Sequence, residues 1–382
     1  MIQKVSKVRA VASGPGWLLV LPLLAATGCH GIPVAGRFKV DAVANAKLNG
    51  DVRVAADVGA NVKGSVEVKI PTTFDPGPMV ATVVRPSLSG PGFVAGRVGL
   101  VDVDGLLINQ NLTGLYSTGE NPVGAFREKL EAAGRDPALR AVVVRINSPG
   151  GGVAASDIMA DELDRFRRES GKPVVCCLMD VATAGAYYLA VGGDRVVALP
   201  TGLTGSLGAI INHYNLQDAM SQLNLVADPI KAGARVDLGS VTEPLDDEGR
   251  RALQEMADGY RDRFRDRVAR HRPGMTAADF DALADGRIVA APKALGLHMV
   301  DRLGYVHEAI AAAEELAGIS GSEVVVFARA GVAARSLYAI TPNVPIQGEI
   351  VPFSYPGLDR NRTPTFLYLW QPDPTVFRQA GH

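Results

Sequence analysis

The sequence predicts an α/β protein, a largely parallel sheet covered by helices, preceded by an alternating β segment and followed by an irregular arm. Three observations lead there. Between residues 97 and 318, apolar β-branched runs take turns with stretches of helical period. Two of those runs end in turns of small residues, NSPGGG at 147–152 and TAGA at 183–186. Residues 40–70 instead carry apolar side chains on even positions, from Val40 to Ile70, with mostly charged or polar ones between.

Taken in order, Lys4, Lys7 and Arg9 precede the apolar run WLLVLPLLAA and then TGC. This is the layout of a secretory signal over 1–28, too short in its apolar part to span a bilayer. AATGC resembles a bacterial lipobox with Ala26 where leucine is usual, which implies cleavage before Cys29 and lipidation of its thiol; an ordinary cleaved signal is the alternative. Residues 29–37 then form anchor and linker. Residues 38–72 form a β segment whose parity does not flip at LNGDV or GANVKG. Three-residue loops, with Leu48 facing Val52, or a solenoid-like stack satisfy that, and a flexible spacer is the other reading. PTTFDPGPM and RPSLSGPG read as a linker over 73–96.

From 97 onward, VAGRVGLVDVDGLL reads as strand and turn, NPVGAFREKLEAAGRDP as helix, and ALRAVVVRIN as a buried strand. AASDIMADELDRFRRES is an amphipathic helix for which Ser156 is the expected cap, with Glu162 and Arg165 on one side. KPVVCCLMD and RVVALP are further strands, and residues 244–274 a long helix stopped by Pro273-Gly274. Residues 319–382 hold a strand and then a Pro- and aromatic-rich arm, packed on the domain or on a neighbour, or else a loose tail.

Composition narrows function. A net charge of −1 on 382 residues gives no electrostatic footprint for nucleic acid. After Cys29 only Cys176 and Cys177 remain, adjacent in an apolar strand, which suits buried free thiols rather than a disulfide or metal site. His213, His298 and His307 are dispersed and match no metal spacing. Asp102, Asp104 and Asp180 sit near strand ends, and nothing in the sequence brings them together.

The order of segments resembles the signal peptide peptidase A (protease IV) family of serine peptidases, within the ClpP/crotonase fold. The resemblance rests on VVVRINSPGGG, on LTGSLG at 203–208 and on DGRIVAAPKALGLHMVDRLG at 285–304, and covers about 97–318. It implies peptide hydrolysis by a Ser/Lys dyad without metal or cofactor. The family serine lies in AASGGYY, here ATAGAYY, which puts Ala184 at the nucleophile position. The family lysine lies in a stretch like KSGAHKD, here KAGARVD, which puts Val236 at the base position. Both halves of the dyad are therefore expected to be missing.

Thr183, Ser206 and Lys231 are the fallback candidates. Thr183 lies one residue from the nucleophile position, a rotation of about 100° on a helix. The resemblance assigns oxyanion and peptide-binding N–H groups to Gly150, Gly151 and Gly185; a role in tight turns alone is the equal alternative.

The expectation is an exported, lipid-anchored family member on the periplasmic side of a bacterial envelope. Its expected partners are peptide segments or an active homologous peptidase, in a homo- or hetero-oligomer to which residues 203–208 and the C-terminal aromatics contribute. The rivals are an active peptidase with a displaced dyad and a structural envelope lipoprotein. Crotonase-like acyl-CoA chemistry shares the fold but not these motifs.

Overall fold

The structure, a computed structural model, describes residues 77–339 and 367–370, apart from 89, 91–92, 115–116, 284 and 331–335, together with four short strands nearer the N-terminus. The chain divides into two units, Met1–Asp75 and Pro76–His382. In the first, β1 (Val8–Ala10) pairs antiparallel with β2 (Val40–Ala42), and β3 (Val52–Arg53) with β4 (Glu67–Val68). The alternating stretch is β-paired wherever it is described. Leu48 and Cys29 lie outside the described residues.

The second unit is built on one nine-stranded sheet. Its elements are β5 (Met79–Arg85), β6 (Arg97–Asp104), the small hairpin β7 (Leu112–Gly114) and β8 (Ser117–Glu120), α1 (Pro122–Arg135), β9 (Leu139–Ser148), β10 (Gly150–Gly152) and α2 (Val153–Ser170). There follow β11 (Val174–Thr183), α3 (Gly185–Ala190), β12 (Arg195–Ala198), β13 (Leu203–Gly205), α4 (Gln217–Gln222), α5 (Asp247–His271) and α6 (Ala277–Asp281). The series closes with β14 (Ile288–Ala290), α7 (Ala291–Gly296), β15 (Arg302–Leu303), α8 (Val306–Ala317), β16 (Glu323–Arg329) and β17 (Leu367–Leu369). The sheet runs β14-β13-β11-β9-β6-β16-β5, with β12 beside the first half of β11 and β15 beside β12. Only β14 and β5, at the two ends, run antiparallel to their neighbours. This is the predicted α/β architecture, a largely parallel sheet covered by helices.

The helices form because each has an apolar face to bury. Phe126 and Leu130 of α1, and Met159, Leu163 and Phe166 of α2, enter one core with Val142, Val144 and Ile146 of β9 and Val174, Cys176 and Leu178 of β11. The alternate residues Ala141, Val143, Val175 and Cys177 face the other way, onto Val306, Ala309 and Ile310 of α8. A sheet buried on both faces explains why these strands read as unbroken apolar runs rather than alternating ones. Cys176 and Cys177 are buried free thiols whose pKa burial pushes up to about 12.

Two expectations are corrected. The stretch 73–96 is not all linker. Its MVATVVR run is β5, the antiparallel edge partner of β16, and prolines on either side had masked a short β-branched strand. Ser156 does not cap α2. The helix springs directly from Gly152, and Ser156, one turn in, donates its hydroxyl to the Gly152 carbonyl at 3.0 Å.

A buried ionic cluster joins β6, β9 and α1. Arg145 Nε donates to Asp102 across the β6–β9 register at 2.8 Å, and Lys129 Nζ lies 3.4 Å from the Asp102 carbonyl oxygen. Arg145 also donates to the carbonyls of Leu337 and, at 2.6 Å, Ala339, so the start of the C-terminal arm is pinned to the sheet. Lys129 is 2% exposed. Burial lowers its pKa from 10.5 to about 8, against the opposing pull of Asp102.

Between those two values the unfolded chain binds the proton and the folded chain does not. Stability should therefore rise with pH from about 8 to 10.5, and the cost of the buried charge should be fully present below pH 8. Lys129→Met should remove that rise and be the more stable form at pH 7, by an amount of the order of 3 kcal/mol. Urea titrations of both proteins across this range check it.

Candidate peptide site

The site is assembled at the C-terminal ends of the parallel strands, where β9 and β11 each run into a turn and a helix. β11 ends at Thr183 and α3 begins at Gly185. Ala184 between them holds φ 52° and ψ −119°. A non-glycine residue there costs about 1–3 kcal/mol. It is held because the Ala184 N–H donates to the Gly205 carbonyl at 2.8 Å and the Ala184 carbonyl accepts from Tyr188 at 2.9 Å. The strained strand-to-helix elbow is thus present, with a fully buried methyl group at its tip.

The second wall is β10. Gly152 N–H donates to the Leu107 carbonyl (2.8 Å) and Leu107 N–H to the Gly150 carbonyl (2.9 Å). Successive residues of a strand alternate in direction, so the N–H and C=O of Gly151 face the opposite side. On that side lies β17, antiparallel, with Gly151 opposite Tyr368. Trp370 N–H continues the ladder to the Pro149 carbonyl at 3.0 Å. The far edge of β17 is paired too. Leu367 donates to and accepts from Ile210, at 2.8 and 2.9 Å. One extended segment is therefore clasped between two backbone edges.

Backbone approaches here leave no room for a side chain. A Cβ on Gly150, whose φ is +99°, would lie 2.0 Å from the Tyr368 carbonyl oxygen and 2.8 Å from the Gly185 nitrogen. A Cβ on Gly151 would lie 2.0 Å from the Leu107 carbonyl oxygen. A Cβ on Gly185 would come within 3.1 Å of that same Tyr368 oxygen. Gly150 and Gly185 thus converge around one backbone carbonyl, that of Tyr368, while Gly151 lies against Leu107.

The Tyr368 ring fills an aromatic pocket. Its centroid lies 5.3 Å from that of Tyr188 and 4.9 Å from that of Phe264, and its hydroxyl donates to the Tyr260 carbonyl at 2.6 Å. Tyr188 is itself fixed, its hydroxyl donating to Asp157 at 2.6 Å. Burial and Asp157 push its pKa up to about 12. Arg267 donates to the Tyr188 carbonyl (2.9 Å), lies over its ring and pairs with Asp164, tying α5 to α3 and α2. Sequence reasoning missed Tyr188, Phe264 and Tyr368 as site residues; the aromatic run FLYLW in an otherwise irregular arm was the available signal.

The other candidates are placed as follows. Thr183 is fully buried, and its hydroxyl has no hydrogen-bond partner among the described residues. Ser206 is buried, holds φ +61°, and donates its N–H to the Arg287 carbonyl at 2.9 Å. Ser148 Oγ accepts from Gly150 N–H at 3.1 Å, a turn-local bond. Val236 is 68% exposed, in the connection between α4 and α5. Lys231 is paired with Asp237 and, at 3.2 Å, with Glu243, and the Asp237 hydrogen bond raises its pKa. Arg235 likewise pairs locally with Asp246 and Glu248. Among the described residues, the charged groups of this connection pair with one another and with the start of α5, not with the elbow.

The strand-end carboxylates do not cluster. Asp102 pairs with Arg145, Asp104 accepts from Asn147 at 3.0 Å, and Asp180 is exposed. No group of three metal-ligating side chains occurs among the described residues. The expectation that residues 203–208 serve subunit contacts is corrected. Leu203–Gly205 is β13, hydrogen-bonded on both edges inside the sheet, and Thr204, Ser206 and Leu207 are buried.

Residues 166–320 match the model of Peptidase family S49. The chain is 29% identical over 210 residues to an Enterococcus faecium protein bearing the name signal peptide peptidase SppA, covering 55% of this chain and 60% of that one. It is 31% identical over 232 residues to Protease 4 of Salmonella typhi, 60% of this chain and 36% of that. It is 30% identical over 193 residues to the chloroplastic serine protease SPPA of Arabidopsis thaliana, 50% of this chain and 28% of that. It thus spans under two thirds of each of these relatives. Among solved structures, a membrane-bound stomatin-specific protease aligns with a TM-score of 0.37 and 14% identity, over 56% of this chain and 83% of that one. The S49 match and these relatives support the resemblance to the signal peptide peptidase A family.

Removing the orphaned hydroxyl separates a structural from a chemical role for Thr183. Thr183→Val should be as stable as wild type or more so, by about 1 kcal/mol, since an unsatisfied buried polar group is lost. Thermal denaturation checks this, and a drop of several kcal/mol would show that the hydroxyl has a partner.

Proposed function

We propose that this chain is a signal peptide peptidase A-like protein that binds extended peptide segments and has no competent Ser/Lys dyad. The observation that carries the reading is the elbow. The strained turn and converging glycines suit a peptide carbonyl, yet the residue at the tip is Ala184, whose side chain has no nucleophilic atom. The clasp between β10 and Ile210 supports the choice of ligand, because it already accommodates an extended backbone.

A displaced dyad draws no support from the fallback residues. Thr183 is sealed in the sheet, and Lys231 is held protonated by its carboxylate partners. A nucleophile and base must come within hydrogen-bond reach, and here the candidates belong to separate local networks. The proposal extends to export and a lipid anchor at Cys29, supported by the basic and apolar leader. No helix among the described residues is long and apolar enough to cross a membrane.

It extends also to assembly with a second copy or an active relative. Leu223, Leu225, Val226, Ile230 and Val236 are all more than half exposed along one connection, a row of apolar side chains that a partner would cover.

A four-way comparison tests the catalytic part. Wild type, Ala184→Ser and Val236→Lys should all fail to cleave peptides or esters or to react with a fluorophosphonate probe. The double variant should stay inactive too, because position 236 is 68% exposed on a connection whose charged groups pair locally and not at the elbow. Robust wild-type turnover that survives Ala184→Gly would sink the reading. For the anchor, wild type expressed in a bacterial host should partition into detergent and Cys29→Ser should not. Wild type found wholly in the aqueous phase would remove that part. Light scattering at high concentration should report an oligomer, and a monomer would remove the assembly part.

A further inference from the structure

We infer that residues Leu367–Trp370 are a built-in occupant of the peptide cleft, and that the cleft selects an extended segment with an aromatic side chain where Tyr368 now sits. This deepens the peptide-binding reading above and rests on it. The geometry is that of a bound ligand rather than of an ordinary edge strand. β17 is three residues long and pairs on both sides, with β10 and with Ile210. It joins none of the strands of the main sheet. Its central carbonyl lies at the convergence of Gly150 and Gly185, next to the elbow at Ala184.

Recognition divides between backbone and side chain. The ladder from Pro149 to Gly152 reads only extended backbone, as in strand addition, and gives affinity without sequence preference. Preference comes from the pocket under Tyr368, closed by Tyr188 and Phe264 and ended by the Tyr260 carbonyl. Two aromatic walls favour an aromatic guest, and the carbonyl at the base matches a hydroxyl donor. The occupant belongs to the same chain, so it meets the cleft at an effective concentration that does not fall on dilution. An external peptide of equal intrinsic affinity must compete against that, and weakening the internal strand should raise the apparent affinity for a free one.

The test uses the full chain and a fluorescent, capped peptide of sequence FLYLWQ, matching residues 366–371, followed by anisotropy. Tyr368→Ala empties the aromatic pocket. Leu367→Pro removes the N–H that bonds Ile210 and leaves the pocket residues untouched. Both variants should bind the peptide at least about tenfold more tightly than wild type. A peptide with alanine in place of its tyrosine should lose at least about tenfold in affinity for either variant.

If wild type and both variants bind the peptide equally, self-occupancy is overturned while peptide binding stands. If none of the three binds at any concentration, both readings fall. Amide hydrogen exchange on wild type keeps the question open to refutation should the variants not fold. A displaceable occupant lets the amides of Gly151 and of residues 367–370 exchange well before those of Val142–Ile146 in β9. Exchange of all of them together, only at global unfolding, would show β17 to be a permanent strand and overturn the proposal.

Discussion

Three stretches of backbone meet at Gly150 and Gly151 more closely than any side chain permits. With Leu107 on one side and Tyr368 on the other, an added Cβ at either glycine would sit 2.0 Å from a carbonyl oxygen. Much else in the site depends on this. Because β10 is bare, Leu107 can bond its inner edge and leave the N–H and C=O of Gly151 for an extended segment on the outer edge. Because α2 starts immediately at Val153, the glycine strand is anchored to a helix packed in the core. The outer backbone edge, paired here with β17, is therefore carried on rigid elements, which is what recognition of backbone requires.

The opposite wall is set by strain. Ala184 occupies a backbone conformation suited to glycine, and the bonds to Gly205 and Tyr188 hold it there. Fully buried, it uses the elbow for no polar side-chain chemistry. Strain of this kind usually accompanies function. Here the strained elbow carries an alanine at its tip, and the proposed binding role is built on that. Lys231 and Arg235 fit the same picture: each is spent on nearby carboxylates in an exposed connection.

Electrostatics serve the fold more than the site. Arg145 meets Asp102 in the cross-strand register and holds the carbonyls of Leu337 and Ala339, so one guanidinium fastens two central strands and the beginning of the arm. Lys129 shares that cluster at the cost of a buried charge. On the far side of the sheet Arg267 plays a comparable part, gripping Asp164 and the Tyr188 carbonyl so that the aromatic pocket has a fixed floor.

The sequence by itself determined the layered plan. Apolar runs such as ALRAVVVRIN can only be strands buried on both faces, and the period of α1, α2 and α5 marks the helices that cover them. It placed Ala184 and Val236 where the family resemblance expects serine and lysine, because motif matches of that kind are local. It did not reveal β5, whose β-branched run becomes a strand only once β16 offers an edge, nor the start of α2, which depends on how the glycine turn leaves the sheet. Tertiary structure alone decided where the aromatic arm goes. Tyr368 lies 217 positions beyond Gly151 in the chain, and no periodicity connects a three-residue strand to a partner that distant. Their pairing follows from a bare backbone edge and an empty aromatic pocket, features that exist only after the rest of the chain has folded.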